Sequence, residues 1–227
     1  MTLLRGAIGC WVLLCTFGYT LFGSLVIGAS PSASAVSLPQ AMSDLHLTLF
    51  GMVPAWVILL GAEADAGADD QRLVRFGSRS RALMAESPRL VLTGLCLALL
   101  MTAGAAAGLA VATGRVTADL LELGYVTMTQ TFAFAAVAMI MRLAALLVVA
   151  RVRADVWAGI GLWFVSVVMI LGVSEAAWWS PVGIIVAKFT DDGPDLSAPG
   201  VSTCIGAVVV ASAAIRDRWE VHRWLLR

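Results

Sequence analysis

Arginines at helical spacing are the side chains in this 227-residue sequence with the clearest potential for recognition chemistry. Arg72, Arg75 and Arg79 are three and four residues apart, so on a helix they share one face. Phe76 offers an apolar anchor beside them. Cations around an aromatic anchor are typical of a surface that docks another protein. The alternative is a basic segment that fixes membrane topology and contacts anionic lipid.

Other reactive chemistry is not indicated. The sequence has no G-x-x-x-x-G-K-S/T, H-E-x-x-H or G-x-S-x-G motif, and no span carries paired aspartates. The two histidines lie at opposite sides of the topology described below and cannot share a metal, and the cysteines lie in apolar runs as small buried side chains. These residues are His46, His222, Cys10, Cys15, Cys96 and Cys204. We therefore predict that the chain is not an enzyme and holds no metal.

Composition places the chain in a membrane. Hydrophobic residues make up 60% of it and charged residues only 13%, against about 25% in soluble domains. A soluble fold of this size could not bury so much apolar surface. The 15 basic and 15 acidic residues cancel, so there is no net positive charge to attract nucleic acid. A soluble enzyme, a nucleic-acid binder and a disordered protein are thereby excluded.

Six apolar runs predict an all-α integral membrane protein, a single transmembrane domain with both termini in the cytoplasm. The runs are about 6–29, 45–62, 90–113, 122–150, 156–174 and 198–215. Residues 63–89 form a predicted cytoplasmic loop, and residues 175–197 an outer loop with an interfacial or re-entrant segment. A cleaved signal peptide ending before Val36 is the alternative for the first run, but a signal core spans only about 7–15 residues.

The basic residues orient this topology. Twelve fall on the cytoplasmic side and only Arg115 and Lys188 on the outer side, which agrees with the positive-inside rule. The twelve are Arg5, Arg72, Arg75, Arg79, Arg81, Arg89, Arg151, Arg153, Arg216, Arg218, Arg223 and Arg227. Because Lys188 is the only lysine, the composition indicates a G+C-rich bacterium, and we predict a location in the bacterial plasma membrane.

Two sets of residues stand out within the spans. Gly104 and Gly108 form a G-x-x-x-G pattern, which lets two helices approach closely, and we predict that they pack against another helix. Tyr125 and Gln130 belong to a polar stripe on the outer half of the fourth span. Gln130 either hydrogen-bonds a neighbouring helix or, with Tyr125, lines a substrate path.

A family resemblance accompanies the arginine segment. Residues Arg75-Phe76-Gly77-Ser78-Arg79 resemble the R-Y/F-G-S-R signature of the permease subunits of type-2 ABC exporters, many of which serve in antimicrobial-peptide export or immunity. In those proteins the signature lies in the cytoplasmic loop between the second and third of six spans, and the chain is of similar size. The chain departs from the family in lacking an amphipathic helix before its first span and in having Ala82-Leu83-Met84 after the signature.

The resemblance implies a transport subunit that binds no cofactor itself. ATP and Mg would be bound by a separate cytoplasmic ATPase, and a second permease subunit would complete a homo- or heterodimer in the lipid bilayer. The exported substrate would be a peptide or another hydrophobic molecule. The residues that would couple to the ATPase are Arg72, Arg75, Phe76, Gly77, Ser78, Arg79 and Arg81. The alternative function is a structural or accessory subunit of a multi-subunit membrane complex, assembled through Gly/Ala faces.

Overall fold

The computed structural model describes residues 7–29, 36–42, 50–51, 53–63, 75–147, 154–172, 189–190, 193–194, 205 and 207–219. Most of these residues lie in helices, which we label in chain order: α1 (Ala7–Gly28), α2 (Leu38–Met42), α3 (Val53–Glu63), α4 (Arg79–Thr113), α5 (Leu120–Leu147), α6 (Ala154–Gly172) and α7 (residues 207–219). Two short strands, β1 (Phe189–Thr190) and β2 (Gly193–Pro194), pair antiparallel.

Three of the helices are long and apolar enough to cross a membrane. They cover Gly9–Gly28 in α1, Arg79–Thr113 and Leu120–Leu147. The outer face of α1 is also apolar, with Trp11, Leu14 and Phe22 exposed to 68%, 64% and 65%. An exposed apolar face of this kind is suited to lipid rather than to water. These features confirm the prediction of a helical membrane protein.

Five helices pack in a closed order. Helix α4 lies between α1 and α5, α5 contacts α6, α6 contacts α3, and α3 returns to α1. Gly104 of α4 lies against Phe17 of α1, and Gly108 lies against Leu21, so α1 and α4 run parallel. Helix α2 packs against α1, α4 and α5. The described core contains an edge-to-face contact between Trp56 of α3 and Phe134 of α5, with ring centroids 5.2 Å apart.

Helix α4 has well-defined ends. Ser78 is its N-cap, in an extended conformation, and its side chain accepts a hydrogen bond from the Arg81 N–H. The helix ends at Gly114, which is left-handed with φ 71° and donates its N–H to the Ala110 carbonyl. We call the two ends of the bundle the Arg79 end and the Gly114 end, after the residues at the start and finish of this helix.

A proline within α4 is accommodated locally. Pro88 has no N–H, so the Met84 carbonyl one turn earlier lacks its usual donor. The Ser87 hydroxyl donates to that carbonyl instead, at 2.9 Å. The helix is therefore continuous on both sides of Pro88, from Arg79 to Thr113.

The helix bounds differ from those predicted. Residues 79–89, predicted to belong to the loop 63–89, form the first three turns of α4, because Ala82 and Leu83 are buried and support this stretch. Helix α5 begins at Leu120, α6 covers Ala154–Gly172, and α7 continues to residue 219. The second span was predicted at about 45–62, and the helix described there is α3 (Val53–Glu63). Residues 45–49 and 52 of that span lie outside the described residues. Of the outer loop 175–197, predicted to hold an interfacial or re-entrant segment, the structure describes only the strands β1 and β2.

Candidate partner-docking site at the Arg79 end

The arginine segment forms an exposed bend that leads into α4. Arg75 and Phe76 are helical, and the chain bends at Gly77 and Ser78. Gly77 has φ +69°, a left-handed conformation that side chains rarely adopt. The guanidinium carbon of Arg75 lies 5.7 Å from the centroid of the Phe76 ring, within the range of a cation–π contact. Glycine at residue 77 therefore allows Ser78 to reach its capping position.

A carboxylate from the far end of the chain binds the start of α4. Oδ1 of Asp217, in α7, accepts hydrogen bonds from the Arg79 N–H at 3.3 Å and from Arg79 Nη1 at 3.2 Å. Oδ2 accepts from the Ser80 N–H and from the Ser80 hydroxyl, both at 3.2 Å. We call these four hydrogen bonds the Asp217 contact. They satisfy two of the N–H groups that the first turn of a helix leaves without partners.

Arg79 also reaches a third helix. Its Nε donates to the carbonyl oxygen of Leu146, near the end of α5, at 3.0 Å. The Arg79 and Asp217 side chains are each only 17% exposed, so their ion pair is partly shielded from solvent. Arg79 thus joins α4, α5 and α7 and has a structural role within the chain.

Other arginines of the segment face outward. Arg75 and Arg81 are exposed, and so is Arg218 of α7. Within the described part of the chain, the side chains of Arg81 and Arg218 form no hydrogen bond or ion pair. These cations are accessible at the surface of the described part of the chain. Arg72 lies outside the described residues.

An ion pair lies further along the bundle from the Arg79 end. Arg142 Nε of α5 lies 3.7 Å from Glu86 Oε2 of α4, and their side chains are 5% and 18% exposed. A buried arginine is costly unless a counter-charge compensates it. Sequence reasoning placed Arg142 within the fourth span, and its partner in α4 was not predicted because residue 86 falls in the predicted loop.

A groove opens between the end of α5 and α7. It has a volume of about 570 Å³ and is lined by Leu147, Ser212, Ile215, Arg216 and Trp219. Ile215 and Trp219 are exposed to 59% and 67%. The groove places apolar and cationic side chains together beside the Asp217 contact.

The polar residues of the predicted substrate path are buried in the bundle. Gln130 is 1% exposed, and its Nε2 donates to the carbonyl oxygen of Met42, the last residue of α2, at 3.0 Å. Tyr125 is 7% exposed and packs in the cluster around α2 with Leu38. The structure therefore places Gln130 in a hydrogen bond between helices, which was one of the two alternatives from the sequence.

The two glycines of α4 lie against the backbone of α1. A Cβ atom added to Gly104 would lie 3.0 Å from the Phe17 carbonyl oxygen and would overlap the Thr20 hydroxyl. One added to Gly108 would overlap the Leu21 carbonyl oxygen. Backbone atoms cannot move aside as a flexible side chain can, so both positions require glycine for the helices to approach this closely.

The described residues contain no group of three or more His, Cys, Asp or Glu side chains suited to a metal ion. No family model, no curated protein and no solved structure matches the chain significantly.

Proposed function

We propose that this chain is the permease subunit of an ATP-driven exporter of the type-2 ABC class, which moves a peptide or another hydrophobic substrate out of the cell. A separate cytoplasmic ATPase subunit hydrolyses ATP with Mg. One observation carries the proposal: the exposed bend at Arg75–Ser78 is continuous with α4, a membrane-length helix of 35 residues. At 1.5 Å per residue this helix is about 50 Å long, so a displacement of the bend passes directly into the membrane domain.

The distribution of charge supports a cytoplasmic location for the Arg79 end. Seven of the eight described arginines lie in the first three turns of α4 and its preceding bend, near the end of α5, or in α7. Arg115 alone of the described arginines lies at the Gly114 end. By the positive-inside rule the Arg79 end faces the cytoplasm. The proposal includes six spans, both termini inside and a bacterial plasma membrane.

The filled core of the described bundle supports the proposal of a second permease subunit. Trp56, Leu97 and Phe134 are almost completely buried in the core between the packed helices. A core packed by large side chains does not provide a route for a peptide-sized substrate. We therefore place the transport route between this chain and a second permease subunit, identical or homologous, within the lipid bilayer.

The test is co-purification with a charge-reversal variant. The tagged chain is purified from its native membranes in mild detergent, and ATPase content and Mg-dependent ATP hydrolysis are measured. Arg75→Glu with Arg81→Glu is the informative variant, since these side chains are exposed, whereas Arg79 contributes to the fold. Arg115→Glu is the matched control because it reverses an exposed arginine at the opposite end.

We expect the ATPase to co-purify with the parent chain and the control, and to be lost from the double variant. Absence of any ATPase subunit, or hydrolysis undiminished by the double variant, would contradict the proposal. Co-purification of integral membrane proteins in place of an ATPase would favour the alternative, an accessory subunit of a membrane complex.

A further inference from the structure

We infer that Asp217 is a positioning residue that holds the first turn of α4, which directly follows the Arg75–Ser78 bend, to α7, so that this turn and α7 move as one unit. Asp217 is 138 residues from Arg79 in sequence, yet its two oxygens accept four hydrogen bonds from Arg79 and Ser80. The contact itself does not rest on the proposed function. Its role in coupling to an ATPase does.

The head of α4 is capped from two sources. Ser78 supplies the local cap by accepting from the Arg81 N–H, and Asp217 accepts from the N–H groups of Arg79 and Ser80. A carboxylate at a helix N-terminus is favoured by the helix dipole as well as by these hydrogen bonds. The first turn of α4 is therefore complete only when α7 is in place.

The Arg79 side chain fixes the start of α4 to two other helices. The Arg79 guanidinium binds Asp217 through Nη1 and the Leu146 carbonyl through Nε, on two different helices. Two hydrogen bonds from one planar guanidinium, one of them to a carboxylate, fix the orientation of the Arg79 side chain as well as its distance from both acceptors. A force on the exposed bend consequently passes along the chain into α4. Through Arg79 it also reaches the end of α5 and α7.

Proximity is tested first by disulfide formation, which needs no ATPase. The four native cysteines are replaced by alanine, and Ser80→Cys is combined with Asp217→Cys. We expect rapid cross-linking under mild oxidant in native membranes, since the two side chains are in hydrogen-bond contact. The control pairs Ser80→Cys with Ser212→Cys, five residues earlier on α7 and in the groove. Equal or slower cross-linking of the Asp217 pair relative to this control would overturn the inference.

Positioning is tested by comparing two capping carboxylates. Asp119 caps α5 locally, accepting from the Leu121 N–H at 2.8 Å, and contacts no other helix through this bond. Asp217→Asn and Asp119→Asn remove the same charge and preserve shape. We expect limited trypsin cleavage at Arg75 and Arg81 to rise about tenfold in Asp217→Asn only, equivalent to about 1.4 kcal/mol. No rise, or the same rise in both variants, would refute the positioning role.

A role in coupling adds a third measurement. In the purified complex with its ATPase, Asp217→Asn should lower substrate-stimulated ATP hydrolysis about fivefold while the ATPase still co-purifies. Asp217→Glu should restore part of the lost stimulation. Unchanged stimulation in Asp217→Asn would remove the coupling role. If no ATPase co-purifies with the parent chain, the proposed function fails, whereas the cross-linking and cleavage results still decide the contact.

Discussion

The two ends of the bundle are held together by different kinds of interaction. At the Gly114 end, α4 and α5 are closed by residues near in sequence: Gly114 donates to Ala110 at 3.0 Å, and Asp119 accepts from Leu121. In the half nearer Arg79, beside the local Ser78 cap, charged side chains join residues far apart in sequence, Asp217 with Arg79 at the end itself and Arg142 with Glu86 further along the bundle. Both ends therefore carry a local helix cap, whereas the described ion pairs between helices lie in the half of the bundle nearer Arg79.

The two kinds of contact differ in how strongly they depend on the placement of neighbouring helices. A local cap forms whenever its own turn forms, whatever the neighbouring helices do. A charge pair between helices forms only when both helices are correctly placed, and in a shielded site its loss is costly. The Arg79 end therefore depends on the arrangement of α4, α5 and α7.

The largest expected effect is at the Arg79 end. Glu86→Ala removes the carboxylate that lies 3.7 Å from the Arg142 guanidinium, whose side chain is 5% exposed. We expect a loss of about 3 kcal/mol in the free energy of unfolding. The measurement is the midpoint of unfolding in mixed detergent micelles.

Glu122→Ala provides the matched glutamate at the Gly114 end. Glu122 lies in the first turn of α5, and the described residues include no ion-pair partner for it. We expect a change within about 0.5 kcal/mol. Equal losses in Glu86→Ala and Glu122→Ala would remove the contrast between the ends.

The next effect concerns apolar packing between α1 and α4 in the half nearer Gly114. Gly108→Ala places a Cβ against the Leu21 carbonyl and 3.0 Å from the Leu25 nitrogen. We expect a loss of about 2 kcal/mol because the two helices must separate. Gly18→Ala is the control, since no atom lies within 4 Å of its Cβ position, and it should be neutral or stabilising by up to about 1 kcal/mol. A neutral Gly108→Ala would contradict this close approach.

The smallest effect compares the left-handed glycine at each end. Gly77 and Gly114 have φ 69° and 71°, and neither Cβ position has a neighbour within 4 Å. Alanine should therefore cost about 1 kcal/mol at both, through backbone conformation alone. Only Gly77→Ala should also reduce ATPase coupling, because it lies in the bend. Reduced coupling in Gly114→Ala to the same degree would show that coupling follows stability and not position.

The helices in the membrane were more predictable than their extensions. Hydropathy located α1, α4 and α5, since their central residues are uniformly apolar. The start of α4 was predicted at residue 90, because Arg79, Arg81 and Pro88 make the preceding turns look like a loop. These turns are helical because Leu83 is buried and Glu86 pairs with another helix, and neither contact follows from local periodicity.

The candidate site was predictable only where its residues are adjacent. The segment Arg75–Arg79 could be selected from its types and spacing. Asp217 could not, because its partners are 138 and 137 residues away and it lies between Arg216 and Arg218 in a basic tail. An acidic residue within a cationic tail is a weak sequence signal for such a contact. The residue types therefore singled out the segment, but the spacing predicted one helix face where the chain bends at Gly77 and Ser78, and tertiary structure was needed to find the Asp217 contact.

The parallel packing of α1 on α4 has a consequence for synthesis. At about 5–20 residues per second, α1 waits several seconds to more than ten seconds in the bilayer before α4 emerges. Thr16 and Thr20 would face lipid in that interval, but their hydroxyls donate to carbonyls of α1 itself, Val12 at 2.8 Å and Thr16 at 2.9 Å. Two of the three buried hydroxyl groups of α1, those of Thr16 and Thr20, thus have acceptors within the helix itself before α4 is present, which lowers the cost of the delay between insertion and assembly.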